Sequence, residues 1–377
     1  MTPNAETPSV ERPEPKFAWF IPIDGDGAHI GTLKAERPPT FENLRNIVQA
    51  AEDAGFEFLL IPTRFANGLF DSGEPLAETW TTVTALAAVT KKIRFLVAVR
   101  PGFVSTGLFA QMGAALSQIS GGRIDINIVP GGIKGEFEKM GVNIDHDTRY
   151  EVAEEFVAAL RRLWASPEPV VFEGKHVHLN GVHCSPGPVG EGPKFYFGGA
   201  SPAALRLAGR EADVYLAWIA QPEAIAKFIE NAQEQFDAAG RKSVFGLRSH
   251  LVMRDTEDEA WAASGELLSK AERGVESQRQ ALFAGTPMVG QRGQIQEAED
   301  HRLGPHLWNG ISTVRVNCGT ALVGSPDQIA EELLGYWRLG IDEFILSAYP
   351  HLEECRRVAS DLLPRLGALI EKERAAV

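Results

Sequence analysis

The chain has 377 residues, with 37 Lys and Arg against 50 Asp and Glu, and its formal net charge is −13. This acidic balance argues against a general binder of nucleic acids or anionic membranes, because no basic face is left to neutralise phosphates. No run of 18 apolar residues is present that could cross a bilayer. If the substrate is an anion, the positive charge must therefore be concentrated in a pocket.

The first segment, residues 1–16, is polar and carries four prolines. It lacks the apolar core of a signal peptide, so we expect a disordered lead. The three cysteines, Cys184, Cys318 and Cys355, lie far apart and have no CxxC spacing. An odd number without a pairing pattern argues against a disulfide framework, and a reducing cytoplasm is the expected compartment.

From Phe17 onward, short apolar runs alternate with amphipathic stretches. The apolar runs predict eight strands, which are Ala18–Ile23, Phe56–Ile61, Ile93–Val99, Ile124–Val129, Lys194–Phe197, Ala212–Leu216, Val244–Val252 and Asp342–Ser347. The stretches between them predict eight helices, which are Phe41–Ala54, Pro75–Val89, Leu108–Ile119, Arg149–Trp164, Pro202–Gly209, Pro222–Ala239, Glu257–Ala271 and Asp327–Leu339. Nearly continuous apolar runs are typical of parallel strands covered by helices. Eight β/α units in succession predict an α/β fold, a (β/α)8 TIM barrel, with a doubly wound open sheet as the alternative.

Two regions interrupt this alternation. Residues 169–182 alternate around Glu173-Gly174 and predict a hairpin insertion after the fourth unit. Residues 272–309 are rich in Gln, Arg, Glu and Gly and have no clear strand. Long irregular segments of compact domains are usually lids or binding loops, or else disordered. We interpret this segment as a lid, because it leads directly into Trp308 and Arg315. The prediction is thus one domain over residues 17–377 with a hairpin and a lid.

Charged and polar side chains follow or interrupt the late predicted strands. Arg248 and His250 are two residues apart, so they project from the same face of their strand. Arg315 lies in a strand-like run over residues 313–320, and Tyr349 follows the last strand. A buried cation is costly unless an anion or a functional pocket compensates for it. Together these side chains suggest an oxyanion-binding and proton-transfer site, whereas the structural alternative is an arginine paired to a carboxylate with histidine at the rim.

The turn after the fifth predicted strand, Gly198-Gly199-Ala200-Ser201-Pro202, leads into a helix. Backbone amides, a hydroxyl and a helix N-terminus make a phosphate-sized anion site, so Gly199, Ala200 and Ser201 are candidate cofactor contacts. No metal site is predicted. The histidines of the hairpin region, at positions 176, 178 and 183, have no carboxylate at a supporting spacing.

Six ordered stretches carry a resemblance to a known family. They are Trp19–Pro22 with the following Gly-Asp-Gly loop, Phe95–Pro101, Asp145–Glu151, Tyr196–Gly199, Cys318–Gly324 and Tyr349–Glu354. In these stretches the chain resembles the bacterial-luciferase-like, flavin-dependent monooxygenases, and most closely the alkanesulfonate monooxygenases. The match runs from about Phe17 to Leu363.

The resemblance implies a (β/α)8 barrel with a lid insertion, and a reaction that uses reduced FMN (FMNH2) and O2. A separate NAD(P)H-dependent flavin reductase would supply the FMNH2. Cleavage of a C–S bond would release sulfite and leave an aldehyde. A homodimer or homotetramer is the expected assembly.

The resemblance also implies roles for individual residues. Arg248, His250, Arg315 and Tyr349 fall on active-site positions, Trp218 on a substrate-pocket position, and Asn127, Tyr150 and Ser201 on positions that resemble flavin contacts. We expect Arg248 and Arg315 to hold the sulfonate, because forked donors suit its oxygens. His250 and Tyr349 are the candidate proton carriers, His250 because an ordinary imidazole titrates near neutral pH, and the choice between the two stays open.

The chain departs from the alkanesulfonate members at two positions near the expected barrel mouth. They have a cysteine after the second strand, where residues 63–73 of this chain have none, and a histidine where Asp24 stands. We interpret these changes as an altered substrate pocket that includes Asp24. A hydroxylated sulfosugar such as sulfoquinovose is then as credible a substrate as a simple alkanesulfonate.

Three other functions stay open at this point. They are a deazaflavin- or flavin-dependent oxidoreductase of the same superfamily acting on another substrate, a non-catalytic flavin-binding relative, and a metal-dependent barrel hydrolase.

Overall fold

Twelve strands are present in the computed structural model, which describes residues 12–132, 136–283, 294 and 299–375. In chain order they are β1 Lys16–Phe20, β2 Phe58–Ile61, β3 Arg94–Val99, β4 Ile124–Ile128, β5 Val170–Glu173, β6 His178–Val182, β7 Phe195–Gly198, β8 Val214–Trp218, β9 Val244–Met253, β10 Leu307–Trp308, β11 Ala321–Gly324 and β12 Glu343–Ser347.

Helices follow most of the strands in the described part of the chain. They are α1 Phe41–Asp53, α2 Thr79–Ala88, α3 Thr106–Ser120, α4 Glu136–Lys139, α5 His146–Ala165, α6 Pro202–Glu211, α7 Pro222–Ala238, α8 Glu257–Leu268, α9 Arg273–Phe283, α10 Pro326–Leu339, α11 His351–Arg357 and α12 Leu363–Ala375. Short 3-10 turns lie at Glu299–His301 and Gly310–Thr313, and a π-helical turn over Val358–Leu362 joins α11 to α12.

Eight of the strands, β1, β2, β3, β4, β7, β8, β9 and β12, pair in parallel and close on themselves. The first and last of them are neighbours, with Phe17 opposite Phe344. On its other side β12 pairs with β9, where Arg248 lies opposite Ile345, and β9 also pairs with β8. The chain therefore forms a closed (β/α)8 TIM barrel, and the open-sheet alternative is wrong.

The strands are buried on both faces, which explains their continuous apolar sequences. In β1, Phe20 belongs to the apolar cluster of the barrel interior, whereas Trp19 belongs to the larger cluster that packs strands against helices. The same alternation places Leu60 inside and Leu59 outside. Burying each such side chain contributes about 1.5–3 kcal/mol. The carboxyl ends of all eight strands consequently meet at one end of a well-packed interior, where barrel enzymes place their sites.

The two predicted inserts are described by the structure to different extents. Strands β5 and β6 form an antiparallel hairpin within the predicted insertion, residues 169–182. Of the predicted lid, residues 272–309, the structure describes the helix α9, Gln294 and residues 299–309. The rest of the segment lies outside the described residues, so its function as a lid stays a prediction.

Two regions differ from the sequence-based expectation. Residues 1–11 of the predicted disordered lead lie outside the described residues. The end of the lead is ordered: Arg12 pairs with Asp342 (Nη2 to Oδ1, 3.0 Å), and Lys16 begins β1. This is because the barrel offers an ion pair and backbone partners there, with the backbone nitrogen of Lys16 donating to the backbone oxygen of Asp342. The run over residues 313–320 is not a strand. It contains Asn317 with a φ of 77°, which an extended strand does not accommodate, and the strand β11 begins only after it.

Close packing between α6 and α7 supplies a test of the fold. A Cβ added at Gly209 would lie 2.7 Å from the backbone oxygen of Gln235 in α7. We therefore expect Gly209→Ala to lower the free energy of unfolding by about 1–3 kcal/mol, because the backbones must separate. At Gly335 in α10 an added Cβ meets nothing within 4 Å, so Gly335→Ala should raise the stability by about 0.5–1 kcal/mol. Urea unfolding of both variants measures the difference, and equal effects would contradict the packing described here.

Candidate active site

A cavity of about 980 Å³ opens at the end of the barrel where the strands finish. Its lining includes residues at the ends of several strands, among them Asn127 in β4 and Trp218 in β8. Pockets for small molecules usually have volumes of about 300–1,000 Å³. This cavity is therefore large enough for a cofactor and a small substrate together.

The sequence-predicted site residues fall into two groups. Those that line the cavity are Asn127, Tyr150, Gly199, Ala200, Ser201, Trp218 and Arg248. Those that do not line it are Asp24, His250, Arg315 and Tyr349, and all four are buried. The structure thus brings the predicted cofactor residues to the cavity but places three of the four predicted catalytic residues, His250, Arg315 and Tyr349, behind its wall.

Arg248 stands on the apolar interior of the barrel. Its guanidinium carbon lies 3.8 Å from the centroid of the Phe20 ring, and Nε and Nη2 have no hydrogen-bond partner among the described residues. Burial, together with the charge of Arg315, lowers the pKa of Arg248 to about 10. The group is still a cation at neutral pH, and an arginine with unused donors in an apolar setting is a strong binding group for an oxyanion.

Arg315 and Tyr349 form a hydrogen-bonded pair behind this arginine. Nη1 of Arg315 donates to Oη of Tyr349 at 2.6 Å, and both side chains are buried. Burial raises the pKa of Tyr349 to about 12, although Arg315 acts in the opposite direction. Tyr349 is therefore protonated at neutral pH, and because its oxygen accepts from Arg315, its own proton is free to be donated.

His250 has both ring nitrogens engaged. Nε2 lies 3.1 Å from the backbone oxygen of Cys318, and Nδ1 lies 2.8 Å from Oγ of Ser347. Burial and the charges of Arg315 and Arg248 lower the pKa of His250 well below its ordinary value. The neutral ring must then donate from Nε2 to the carbonyl and accept at Nδ1 from the hydroxyl. The expectation of an imidazole that titrates near neutral pH does not fit this buried position, and the role of His250 stays a prediction.

Asp24 is paired rather than exposed to the cavity. Its Oδ2 lies 3.1 Å from Nε of Arg64, and the Asp24 side chain is fully buried. The prediction that Asp24 is a substrate-pocket group is thus not supported by its position, since the carboxylate lies next to a guanidinium instead. Arg64, which sequence reasoning missed as a site residue, lines the cavity in its place. The signal was present in residues 63–73, where the chain departs from the family it resembles.

Arg279, in α9, is a second cation that sequence reasoning missed. Its Nε donates to the backbone oxygen of Val314 at 3.0 Å, and its Nη2 donates to that of Phe70. Its Nη1 has no partner among the described residues, and the side chain lines the cavity. Burial and the neighbouring charge of Arg64 lower the pKa of Arg279 to about 10. Residues 272–309 are polar and have no clear periodicity, so nothing in the sequence indicated that this arginine points into the cavity.

The part of the cavity at the N-terminus of α6 suits a phosphate. Oγ of Ser201 accepts from the backbone nitrogen of Ala204 at 3.2 Å and caps the N-terminus of α6. Gly199 has a φ of 148°, and a Cβ there would lie 2.8 Å from that of Ala204, so only glycine fits this turn. Tyr150 is hydrogen-bonded to Ser201, while burial raises the pKa of its phenol. A capped helix end beside two hydroxyls fits the phosphate of a flavin mononucleotide.

Three properties of the described residues bear on other functions. Every helix in the described ranges is too short or too polar to serve as a transmembrane span. In the same part of the chain, no group of three or more His, Cys, Asp or Glu side chains is arranged to hold a metal ion. The three cysteines are buried and free.

Comparison with known proteins links this geometry to a family. Residues 16–343 match the family model of the luciferase-like monooxygenases. The structure is similar to a riboflavin lyase with modified FMN and its substrate riboflavin (19% identity, 95% of this chain and 92% of that chain covered, TM-score 0.77). It is also similar to a long-chain alkane monooxygenase (17%, 95% and 92%, TM-score 0.78) and to an EDTA monooxygenase from Chelativorans sp. BNC1 (19%, 95% and 94%, TM-score 0.72). At these identities the structural likeness shows the fold alone.

The loop after β1 yields a prediction about pH. Oδ2 of the buried Asp26 accepts from the backbone nitrogen of His351 at 2.8 Å, and burial raises the pKa of Asp26 to about 7. The folded protein therefore binds this proton more tightly than the unfolded chain, so the free energy of unfolding should fall as the pH rises from about 4 to about 7. Asp26→Asn keeps an acceptor for the backbone nitrogen of His351 but does not titrate, so it should remove the part of this pH dependence that Asp26 causes.

Denaturant unfolding of the wild type and Asp26→Asn at about pH 5 and about pH 8 tests this prediction, because the other titrating groups are common to both proteins. The variant should gain stability relative to the wild type at the higher pH. A difference between the two proteins that does not change with pH would contradict the raised pKa.

Proposed function

We propose that this chain, which belongs to the luciferase-like monooxygenase family, is a two-component organosulfonate monooxygenase. Its substrates would be FMNH2, O2 and either an alkanesulfonate or a sulfosugar such as sulfoquinovose. The products would be sulfite and an aldehyde. The observation that carries the proposal is Arg248, a buried cation at the cavity wall with donors left unused by the described residues.

Arg248 supplies what a sulfonate needs. A sulfonate presents three oxygens to a forked donor, and the charge-assisted hydrogen bonds of such a pair are about twice as strong as neutral ones. The Phe20 ring beneath the guanidinium excludes water from that side. Attraction between the two charges is stronger in this setting than in water, because little solvent remains to screen it.

FMNH2 would occupy the part of the cavity that ends at the α6 N-terminus. Ser201, Tyr150 and the backbone at Gly199 would hold its phosphate, and Asn127 and Ala200 line the wall beside them. When bound, the reduced flavin supplies the electrons that activate O2 toward the carbon that bears the sulfonate. Trp218 and the apolar lining shield the reacting atoms from water.

Tyr349 would hold the proton to be moved and Arg315 would assist it, both from behind the cavity wall. The phenol is protonated at neutral pH, and its oxygen accepts a hydrogen bond from Arg315. Arg315 offsets part of the effect of burial on the pKa of this phenol, because the guanidinium stabilises the phenolate that forms. His250 would hold its loop and strand through Cys318 and Ser347 rather than carry a proton.

The proposed reaction sets the partners and the compartment. An NAD(P)H-dependent flavin reductase would supply FMNH2, and the family resemblance adds a homodimer or homotetramer as the assembly. The free cysteines are compatible with a reducing cytoplasm.

Sulfite release in a coupled assay tests the proposal. The protein, FMN, a flavin reductase, NADPH and O2 are incubated with alkanesulfonates and sulfoquinovose, and sulfite is measured. Sulfite should form only when reductase, FMN and O2 are all present. Hydride transfer to or from a deazaflavin without O2, with no sulfite formed, would overturn the proposal in favour of the dehydrogenase alternative.

Replacement of Arg248, on which the proposal depends, gives a second prediction. Arg248→Met should lower kcat/KM for sulfite release by about 10–100-fold, since it removes a charge-assisted pair. Arg338→Met is the control, because Arg338 pairs with Glu373 on the surface of α10 and should leave the activity unchanged. Binding of oxidised FMN, followed by fluorescence quenching, should be similar in both variants. Unchanged kcat/KM in Arg248→Met would remove the basis of the assignment.

A further inference from the structure

Four buried guanidinium groups meet at the carboxyl end of the barrel. They belong to Arg64, Arg248, Arg279 and Arg315, each less than a tenth exposed. The charges lie close enough to shift one another's pKa: Arg315 acts on Arg64, and Arg64 acts on Arg279. Asp24 compensates one of the four through its pair with Arg64.

The other carboxylates near this cluster are engaged elsewhere. Glu136 lies 2.7 Å from the guanidinium of Arg100, which is a fifth cation at the cavity. Asp71 accepts from Gln278 and from the backbone of Gly73, at the outer side of the loop. Within the described residues, Asp24 is the one carboxylate in an ion pair with the cluster, so three of the four guanidinium groups have no such partner. Asp71 and Glu136 act on the charges of Arg279 and Arg64 without pairing with them. Buried charges of one sign are costly unless ligands neutralise them.

The proposed function uses two of the four arginines and leaves two unassigned. Arg248 and Arg315 come from β9 and the segment before β11, whereas Arg64 and Arg279 come from the loop after β2 and from α9. A sulfonate would neutralise one charge, and an anionic reduced flavin ring a second. One positive charge then remains at Arg64 and Arg279.

The terminal nitrogens of Arg64 occupy a space that a glycine provides. A Cβ at Gly68 would lie 2.3 Å from Nη1 of Arg64. The Arg64 side chain lines the cavity, and its pair with Asp24 engages Nε, on the inner edge of the guanidinium. The loop thus packs the terminal nitrogens of Arg64 against Gly68, in a side chain that lines the cavity.

Arg279 is fixed in the same way, but by neutral partners. The backbone oxygens of Val314 and Phe70 accept from Nε and Nη2, which sets the plane of the guanidinium and leaves Nη1 unpaired among the described residues. Carbonyl groups satisfy hydrogen bonds without offsetting the charge. Nη1 is thus the nitrogen of Arg279 that is left to form a charge-assisted hydrogen bond with an anion such as a carboxylate.

We propose that Arg64 and Arg279 form a second anion subsite and that the substrate is a sulfonate with a carboxylate on the same carbon skeleton. This inference rests on the proposed function. Arg248 would bind the sulfonate, and the carboxylate would lie between Arg64 and Arg279. These two arginines would determine specificity without acting on the C–S bond.

Pairs of matched substrates test the subsite. Straight-chain ω-sulfocarboxylates, beginning with 3-sulfopropanoate, are compared with their primary amides, which have nearly the same shape but lack the second charge. In the wild type, kcat/KM for sulfite release should be about 10–100-fold higher for the best acid than for its amide. Equal values for acid and amide along the series would overturn the proposal.

Two variants assign this preference to the subsite. Arg279→Met removes one cation, and Gly68→Ala displaces the end of Arg64 while its charge and its pair with Asp24 are kept. Each should lower the preference for the acid over the amide to within about threefold. Gly73→Ala is the control in the same loop, where an added Cβ approaches only Oδ1 of Asp71, at 3.3 Å. A preference that survives in both variants would contradict the assignment.

Binding without turnover separates failure of the subsite from failure of the function. Calorimetric titration of the flavin-free protein with 3-sulfopropanoate and its amide needs no sulfite chemistry. Tighter binding of the acid that depends on Arg279, with no sulfite released from either compound, would support the subsite and overturn the organosulfonate reaction. Equal binding of the two compounds, with equal release of sulfite from both, would support the organosulfonate reaction and overturn the subsite.

Discussion

The cost of burying positive charge is the constraint on which this site depends. Guanidinium groups at the carboxyl end of the barrel rest on an apolar interior, with Arg248 directly over the ring of Phe20. Water cannot compensate them there, and Asp24 offsets only one of them among the described residues. The fold is rigid enough to maintain this arrangement because the strands beneath it are buried on both faces. Binding of anions then relieves an electrostatic cost that folding alone leaves in place.

Most of the fold could be predicted from the sequence, because parallel strands covered by helices have continuous apolar runs at regular intervals. Each of the eight predicted strands corresponds to a barrel strand, with ends shifted by a few residues. The run around Arg315 was misread because it looks apolar enough for a strand. Its backbone turns at Asn317 instead, and such a turn has no periodic signal.

The site could be predicted only in part. Strand residues such as Arg248 in β9 and Trp218 at the end of β8 follow from the barrel geometry, which directs them toward the cavity. The state of His250 does not follow from its type, because its two nitrogens are engaged by Cys318 and Ser347 and its pKa is lowered by burial and by charges from other segments. Arg64 and Arg279 lie on a loop and on a helix without a strand pattern, so their convergence appears only in three dimensions.

The anchoring of Arg279 links entry to the cavity with its electrostatic potential. The helix α9 carries this arginine, and the arginine is held by carbonyl groups of two other segments, at Phe70 and Val314. Any outward displacement of α9 must break both hydrogen bonds and carry a positive charge away from the chamber. A wider entrance therefore coincides with weaker electrostatic attraction of anions in the cavity. Release of charged products and entry of water are then coupled through the same helix.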